Sequence, residues 1–226
     1  MTRKALTILA MLVVLLGAVH AHARSEEAVK RNNFGAELLK QGRLDEAIVE
    51  LEQAVQVDPG YAAAYFNLAY AYERRERIDD AIAQYKKALE LEPGNVLGHN
   101  NLGVLLDKKG LYDEAIAVYE KALKIEPSNA TVLANLANAR KNKAIIEERE
   151  ARIADARKQV EASPKDPRAA YNLARVYAAL DMKDQAFEWL AKSLQLGFDD
   201  IRFVREDPTL AGLRNDPRFT KLLEGR

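Results

Sequence analysis

Asparagine recurs at a spacing of 34 residues at Asn33, Asn67, Asn101 and Asn135, and returns at Asn172 after 37. Each is followed by a large apolar residue and a tiny one: Phe34-Gly35, Leu68-Ala69, Leu102-Gly103, Leu136-Ala137 and Leu173-Ala174. A period of this length constrains the fold more than any other feature. It means that one supersecondary unit is used repeatedly, each copy burying its apolar face only against its neighbours.

With repeats set at 28–61, 62–95 and 96–129, small residues recur at Ala47, Ala81 and Ala115, and again at Ala54, Ala88 and Ala122. Pro59, Pro93 and Pro127 close the blocks. Within each block two apolar stripes of helical period are separated by Gln41-Gly42-Arg43, Arg75-Glu76-Arg77 or Lys109-Gly110-Leu111. The unit is therefore a helical hairpin. Asp45, Asp79 and Asp113 fall at the start of the second helix, where unpaired amides and the positive dipole end favour a carboxylate.

These residues resemble those of the tetratricopeptide repeat (TPR) family, whose unit is a 34-residue helix-turn-helix with small residues, an aromatic and a closing proline. The fold class implied is all-α, an α-solenoid of TPR hairpins. In that architecture Gly35, Ala69 and Gly103 allow close helix approach, while Leu51, Tyr85 and Tyr119 fill the remaining gap.

The fourth unit departs from the pattern. Its first helix is conventional through Leu133, Leu136 and Ala137, but the sequence then runs Lys141-Asn142-Lys143-Ala144-Ile145-Ile146-Glu147-Glu148-Arg149. No breaker stands between Ala130 and Ala162, which predicts one long helix, with a hairpin as the alternative. Pro164 restores the phase, and a last repeat follows through Leu173-Ala174, Tyr177, Asp184, Ala186 and Leu190, with Gly197 as its C-cap. Asp207-Pro208 and Asp216-Pro217 each put a cap residue before a proline suited to a first turn, predicting two short helices that cover the array's end. That tail is similar to the C-terminal ends of many bacterial TPR proteins. The expected organisation is a signal peptide at 1–23 and an N-terminal TPR lobe at 24–140. A long charged connecting helix at 141–163, a C-terminal TPR at 164–200 and a helical cap at 201–226 follow.

The leader reading rests on Arg3 and Lys4, an apolar run from Ala5 to Val19 and the small-residue end Ala21-His22-Ala23. Cleavage is expected after Ala23 or Ala21, giving a periplasmic or secreted protein with no membrane insertion. An uncleaved anchor is the weaker reading, because the run falls short of the ~20 residues a relaxed spanning helix needs. With no cysteine there is neither a disulfide framework nor a thiol for lipid attachment. Lys plus Arg and Asp plus Glu both number 34, so no global field favours nucleic acid, and none is expected as a partner.

Chemistry has few candidates. Beyond the leader the only histidine is His99, whose position three residues before Leu102 suits a structural role between helices. No catalytic residue, metal site or cofactor is expected: glycine-rich phosphate loops are absent, and the charges at 147–152 read as a solvated helix face.

What remains is a surface. By the TPR resemblance, first helices line the concave side, which places Asn33, Phe66, Asn67, Tyr70, Asn100, Asn101, Val104, Asn135 and Asn138 in a peptide-binding groove. An asparagine amide offers a donor and an acceptor, so one per repeat could pair with successive peptide units of an extended segment. Clamp-type TPR domains that grip acidic C-terminal tails need basic residues where this chain has Asn32, Leu97 and Asn101; such tails are not expected ligands. The function expected is a non-enzymatic scaffold or adaptor of the cell envelope with a protein or peptide partner. A regulatory or targeting subunit of an envelope enzyme or secretion complex is the alternative. A homodimer through the long helix, which presents Ile145, Ile146, Ile153 and Val160, completes the partner expectations.

Overall fold

The structure is a computed structural model that describes residues 26–224. The leader expected at 1–23 lies outside the described residues. Helix α1 (residues 26–40) pairs with α2 (Leu44–Val57), α3 (Ala62–Arg74) with α4 (Ile78–Leu91), and α5 (Val96–Lys108) with α6 (Tyr112–Ile125). A single helix α7 then runs Ala130–Ala162, and α8 (Pro167–Ala179) pairs with α9 (Lys183–Gln195). Short helices α10 (Ile201–Glu206) and α11 (Pro217–Leu223) flank a 3-10 helix at Pro208–Leu213. No strand occurs among the described residues.

One backbone device makes the hairpins. Gly42, Glu76, Gly110 and Asp181 all have φ between 56° and 77°. Each lets the chain reverse while the next amide reaches back five residues to an orphan carbonyl, as in Arg43 N to Leu38 O at 2.9 Å and Leu111 N to Leu106 O at 2.9 Å. The position equivalent to Gly110 in the fourth unit is Ala144. Alanine is the best helix former and disfavours positive φ, so the turn is not made and α7 continues.

The first-turn aspartates behave as dipole partners and cross-repeat anchors rather than as capping side chains. The N-cap positions before α2, α4 and α6 are Arg43, Arg77 and Leu111, none with a side-chain cap bond. Asp45 instead holds Arg75 of the next repeat at 2.8 Å, and Asp79 holds Lys109.

The chain divides into two compact units, one ending at Lys141 and the other beginning at Asn142. The first has a core of Leu38, Leu51, Leu68, Tyr85, Leu105, Leu106, Tyr119 and Leu136. The second is built on Tyr171, Leu173, Tyr177 and Leu190 with Val204, Leu210, Leu213 and Phe219 from the tail, so the terminal segment is part of that core. The tail holds the two expected elements, the first as a 3-10 helix, and α10 in addition, capped by Asp200, which accepts from Phe203 N at 2.9 Å. Gly197, expected as the C-cap of α9, stands one residue past the cap Leu196 and takes the positive φ of 102° that ends the helix.

Candidate functional site

Two hollows open across the first helices of unit 1. One, of about 330 Å³, is lined by Ala36, Leu39, Lys40, Asn67, Tyr70 and Arg74. Its neighbour, of about 490 Å³, is lined by Phe66, Asn67, Tyr70, Tyr85, Leu97 and Asn101 among others. Asn67 and Tyr70 face both, so together they form the ridge the two hollows share. Their three-residue spacing puts them on one side of α3.

Of the residues expected to form the groove, the structure gathers Phe66, Asn67, Tyr70 and Asn101 around these hollows. Asn33, Asn100, Val104, Asn135 and Asn138 do not line either. Asn33 and Asn138 are exposed, and Asn100, Val104 and Asn135 are half-buried.

The asparagines also bond to each other across repeats. Asn67 Nδ2 donates to Asn32 Oδ1 at 2.7 Å, and Asn135 Nδ2 donates to Asn100 Oδ1 at 2.8 Å. Both links span 35 residues rather than the repeat length. Asn32, only 5% exposed, is thus the buried anchor of the first rung. Between these pairs the residue 35 before Asn101 is Phe66, which has no amide, and Asn101 Nδ2 donates to Tyr85 OH at 3.3 Å instead. Burial, then the Glu73 carboxylate, pushes the Tyr85 phenol well above its ordinary pKa, so it stays a neutral hydroxyl that donates to Glu73 at 3.3 Å.

Leu97, noted in the sequence only as a position where clamp-type domains are basic, and Gly98, which the sequence did not mark, complete the second hollow. Leu97 is 68% exposed, an apolar side chain presented to solvent on the first turn of α5. Gly98 seats the ring of Phe66: a Cβ there would lie 2.3 Å from Phe66 Cε1. The signal for it was the single glycine in a register that Ala64 and Val132 occupy in adjacent repeats. At the first hollow, Arg74 lies 5.8 Å from the Tyr70 ring centroid and donates to its hydroxyl at 3.1 Å, fixing an exposed aromatic in place.

His99 is structural in its contacts. Its Nε2 lies 2.9 Å from the Pro93 carbonyl, to which Nε2–H donates, and the ring is buried. Among the described residues no group of acidic or histidine side chains could hold a metal ion.

Tetratricopeptide repeat family models match residues 32–96, 71–130 and 167–197. The chain belongs to the tetratricopeptide repeat family. A comparison with curated proteins finds no match. Among solved structures, this TPR protein is similar to the first TPR of Spaghetti (RPAP3) bound to the HSP90 peptide SRMEEVD. The two are 26% identical with a TM-score of 0.51, over 53% of this chain and 95% of that one. The first TPR domain of human RPAP3 is 25% identical with a TM-score of 0.51, over 55% and 98%. The ArsTM double mutant of MamA RS-1 is 20% identical with a TM-score of 0.50 over 80% and 97%, a likeness of fold. The matched TPR segments stop at 130 and resume at 167, leaving out nearly all of α7.

Proposed function

We propose that this TPR protein is a non-enzymatic scaffold or adaptor of the cell envelope that binds an extended peptide segment of a partner across α1, α3 and α5. The observation that carries the reading is the pair of adjoining hollows sharing Asn67 and Tyr70. An extended segment rises about 3.3 Å per residue and points alternate side chains the same way. It would seat an apolar side chain beside Phe66 and Leu97 while the Asn67 and Asn101 amides meet its main chain. The peptide held by the first TPR of Spaghetti supports this use of the fold. Asn32, Leu97 and Asn101, where clamp-type relatives carry basic residues, favour an internal segment over an acidic C-terminal tail. The envelope address rests on the N-terminal sequence alone, and a homodimer through α7 on Ile145, which is 53% exposed.

The test is selection of peptides from a random library on the purified chain. Selected peptides should bind the parent and lose roughly tenfold or more in affinity to Tyr70→Ala or Asn101→Ala. Peptides indifferent to both substitutions, or none selected, would sink the groove.

A further inference from the structure

Each complete hairpin of unit 1 buries one face of its first helix under its second. That face holds Ala28, Gly35 and Leu38 in α1, Ala62, Tyr65, Ala69 and Tyr72 in α3, and His99, Gly103 and Leu106 in α5, all buried, with Arg31 and Val96 at the remaining positions half-buried. One repeat length further on, the same face of α7 consists of Ala130, Leu133, Ala137 and Arg140, and all four are exposed, Leu133 by 46%. The opposite side, Val132, Leu136 and Ala139, is buried in the unit 1 core. The fourth hairpin therefore has a first helix in place and an uncovered seat for a second.

The chain itself encodes the occupant of that seat. In the complete hairpins the gap-filling residue stands 16 positions after the small one: Leu51 after Gly35, Tyr85 after Ala69, Tyr119 after Gly103. Sixteen after Ala137 comes Ile153. The same antiparallel register sets Tyr72 against Ile82 and Leu106 against Ile116; in the fourth unit it sets Arg140 against Glu150. An apolar pair has become a pair of opposite charges: Arg140, which holds Glu120 of α6 at 2.8 Å and is still largely exposed, has donors left for Glu150, so seat and segment are complementary to each other. Ile146 and Glu147 likewise occupy the helix-start register of Tyr112 and Asp113.

The segment cannot reach the seat on its own helix. Residues 137 and 153 lie on one continuous α7, and an unbroken helix cannot fold back on itself. A second chain has no such restraint. Resting on the homodimer reading above, we infer that residues 146–160 of a second copy of this chain dock on Leu133, Ala137 and Arg140. They complete the fourth repeat, with Ile153 over Ala137 and Glu150 beside Arg140. The exchange is reciprocal, so a two-fold dimer fills both seats. Ile153 packs against the unit 2 core, and this is compatible with docking. Tyr85 in a complete repeat similarly serves two helices, opposite Ala69 in register and bonded by Asn101 of the next.

The absence of cysteine from the chain makes the test direct. Ala137→Cys and Ile153→Cys are made in separate chains, mixed and mildly oxidised, with sedimentation of the parent run alongside at several concentrations. The expected result is a parent dimer and a disulfide-linked heterodimer that neither variant forms alone. Arg140→Glu should raise the dimer dissociation constant roughly tenfold or more, and adding Glu150→Arg should restore it, with folding followed by circular dichroism. A dimeric parent without the cross-link overturns this docking but leaves the homodimer standing. A monomeric parent overturns both. Ala137→Cys with Ile153→Cys in one chain, giving a disulfide-closed monomer, also overturns it.

Discussion

Gly103 and Tyr119 occupy complementary halves of one space: a Cβ built on residue 103 would lie 2.5 Å from Tyr119 Cε1, and Tyr119 is 1% exposed. The ring cannot retreat, because it is enclosed by the unit 1 core. Gly103→Leu should therefore destabilise the chain by about 1–3 kcal/mol through overpacking. Ala81→Leu, at a fully buried position, should do the same. Urea unfolding measures both; a variant with the parent midpoint would show that the hairpin interface yields.

Glu76 adopts φ 59° where the neighbouring hairpin turns have Gly42 and Gly110. A side chain in that region carries a cost that glycine does not. Glu76→Gly is expected to stabilise the protein by about 0.5–1 kcal/mol, seen as a raised Tm. A lowered Tm would mean that the side chain contributes more than the backbone strain removes.

Asp207 ties the terminal segment to α8. Its buried carboxylate accepts from Tyr171 OH at 2.9 Å, from Thr209 N at 2.8 Å and from Thr209 Oγ1 at 2.7 Å, and pairs with Arg175 Nε at 2.8 Å. Burial pushes its pKa up, but the Thr209 and Tyr171 hydrogen bonds and the Arg175 charge outweigh that and leave it below the ordinary value. A depressed folded-state pKa gives stability that is complete above the unfolded value of ~3.9 and is lost as pH falls through the folded one. Asp207→Ala should cost about 2–3 kcal/mol at neutral pH, because it strands Tyr171 OH and removes the cap of the 3-10 helix. The loss should shrink in melts below pH 4; a pH-independent loss would assign the effect to packing alone.

Asn67→Ala removes the donor to buried Asn32 and should lower stability by about 1 kcal/mol. Asn101→Ala, whose partner is the Tyr85 hydroxyl, should also weaken packing while leaving the Asn67–Asn32 rung intact. Thermal melts of both variants separate the internal role of the amides from any loss of peptide affinity. Parent-like stability in Asn67→Ala would show that the rung contributes nothing to folding.

Much of the fold was legible because a repeat writes its packing into sequence spacing. The 16-residue interval from Gly103 to Tyr119 and the missing turn residue at Ala144 act through neighbours close in the chain. The lining of the two hollows was legible in part. Phe66, Asn67, Tyr70 and Asn101 meet around the two hollows, whereas Leu97 and Gly98 enter the second from the first turn of α5, a contribution that depends on how far adjacent repeats are rotated.

The sequence by itself determined the unit, its length, its turns and the one place where a hairpin is not made, since these follow from φ preferences and helical periodicity. Only the tertiary structure decided what the recurring asparagines do. The repeat length sets Asn67 in register with Asn33, yet its amide bonds Asn32, because the lateral offset of stacked helices, rather than the period along the chain, selects which side chains meet. In three repeats the hairpin's own second helix covers the seat face, and where α7 runs on past Ala144 it leaves Leu133, Ala137 and Arg140 exposed.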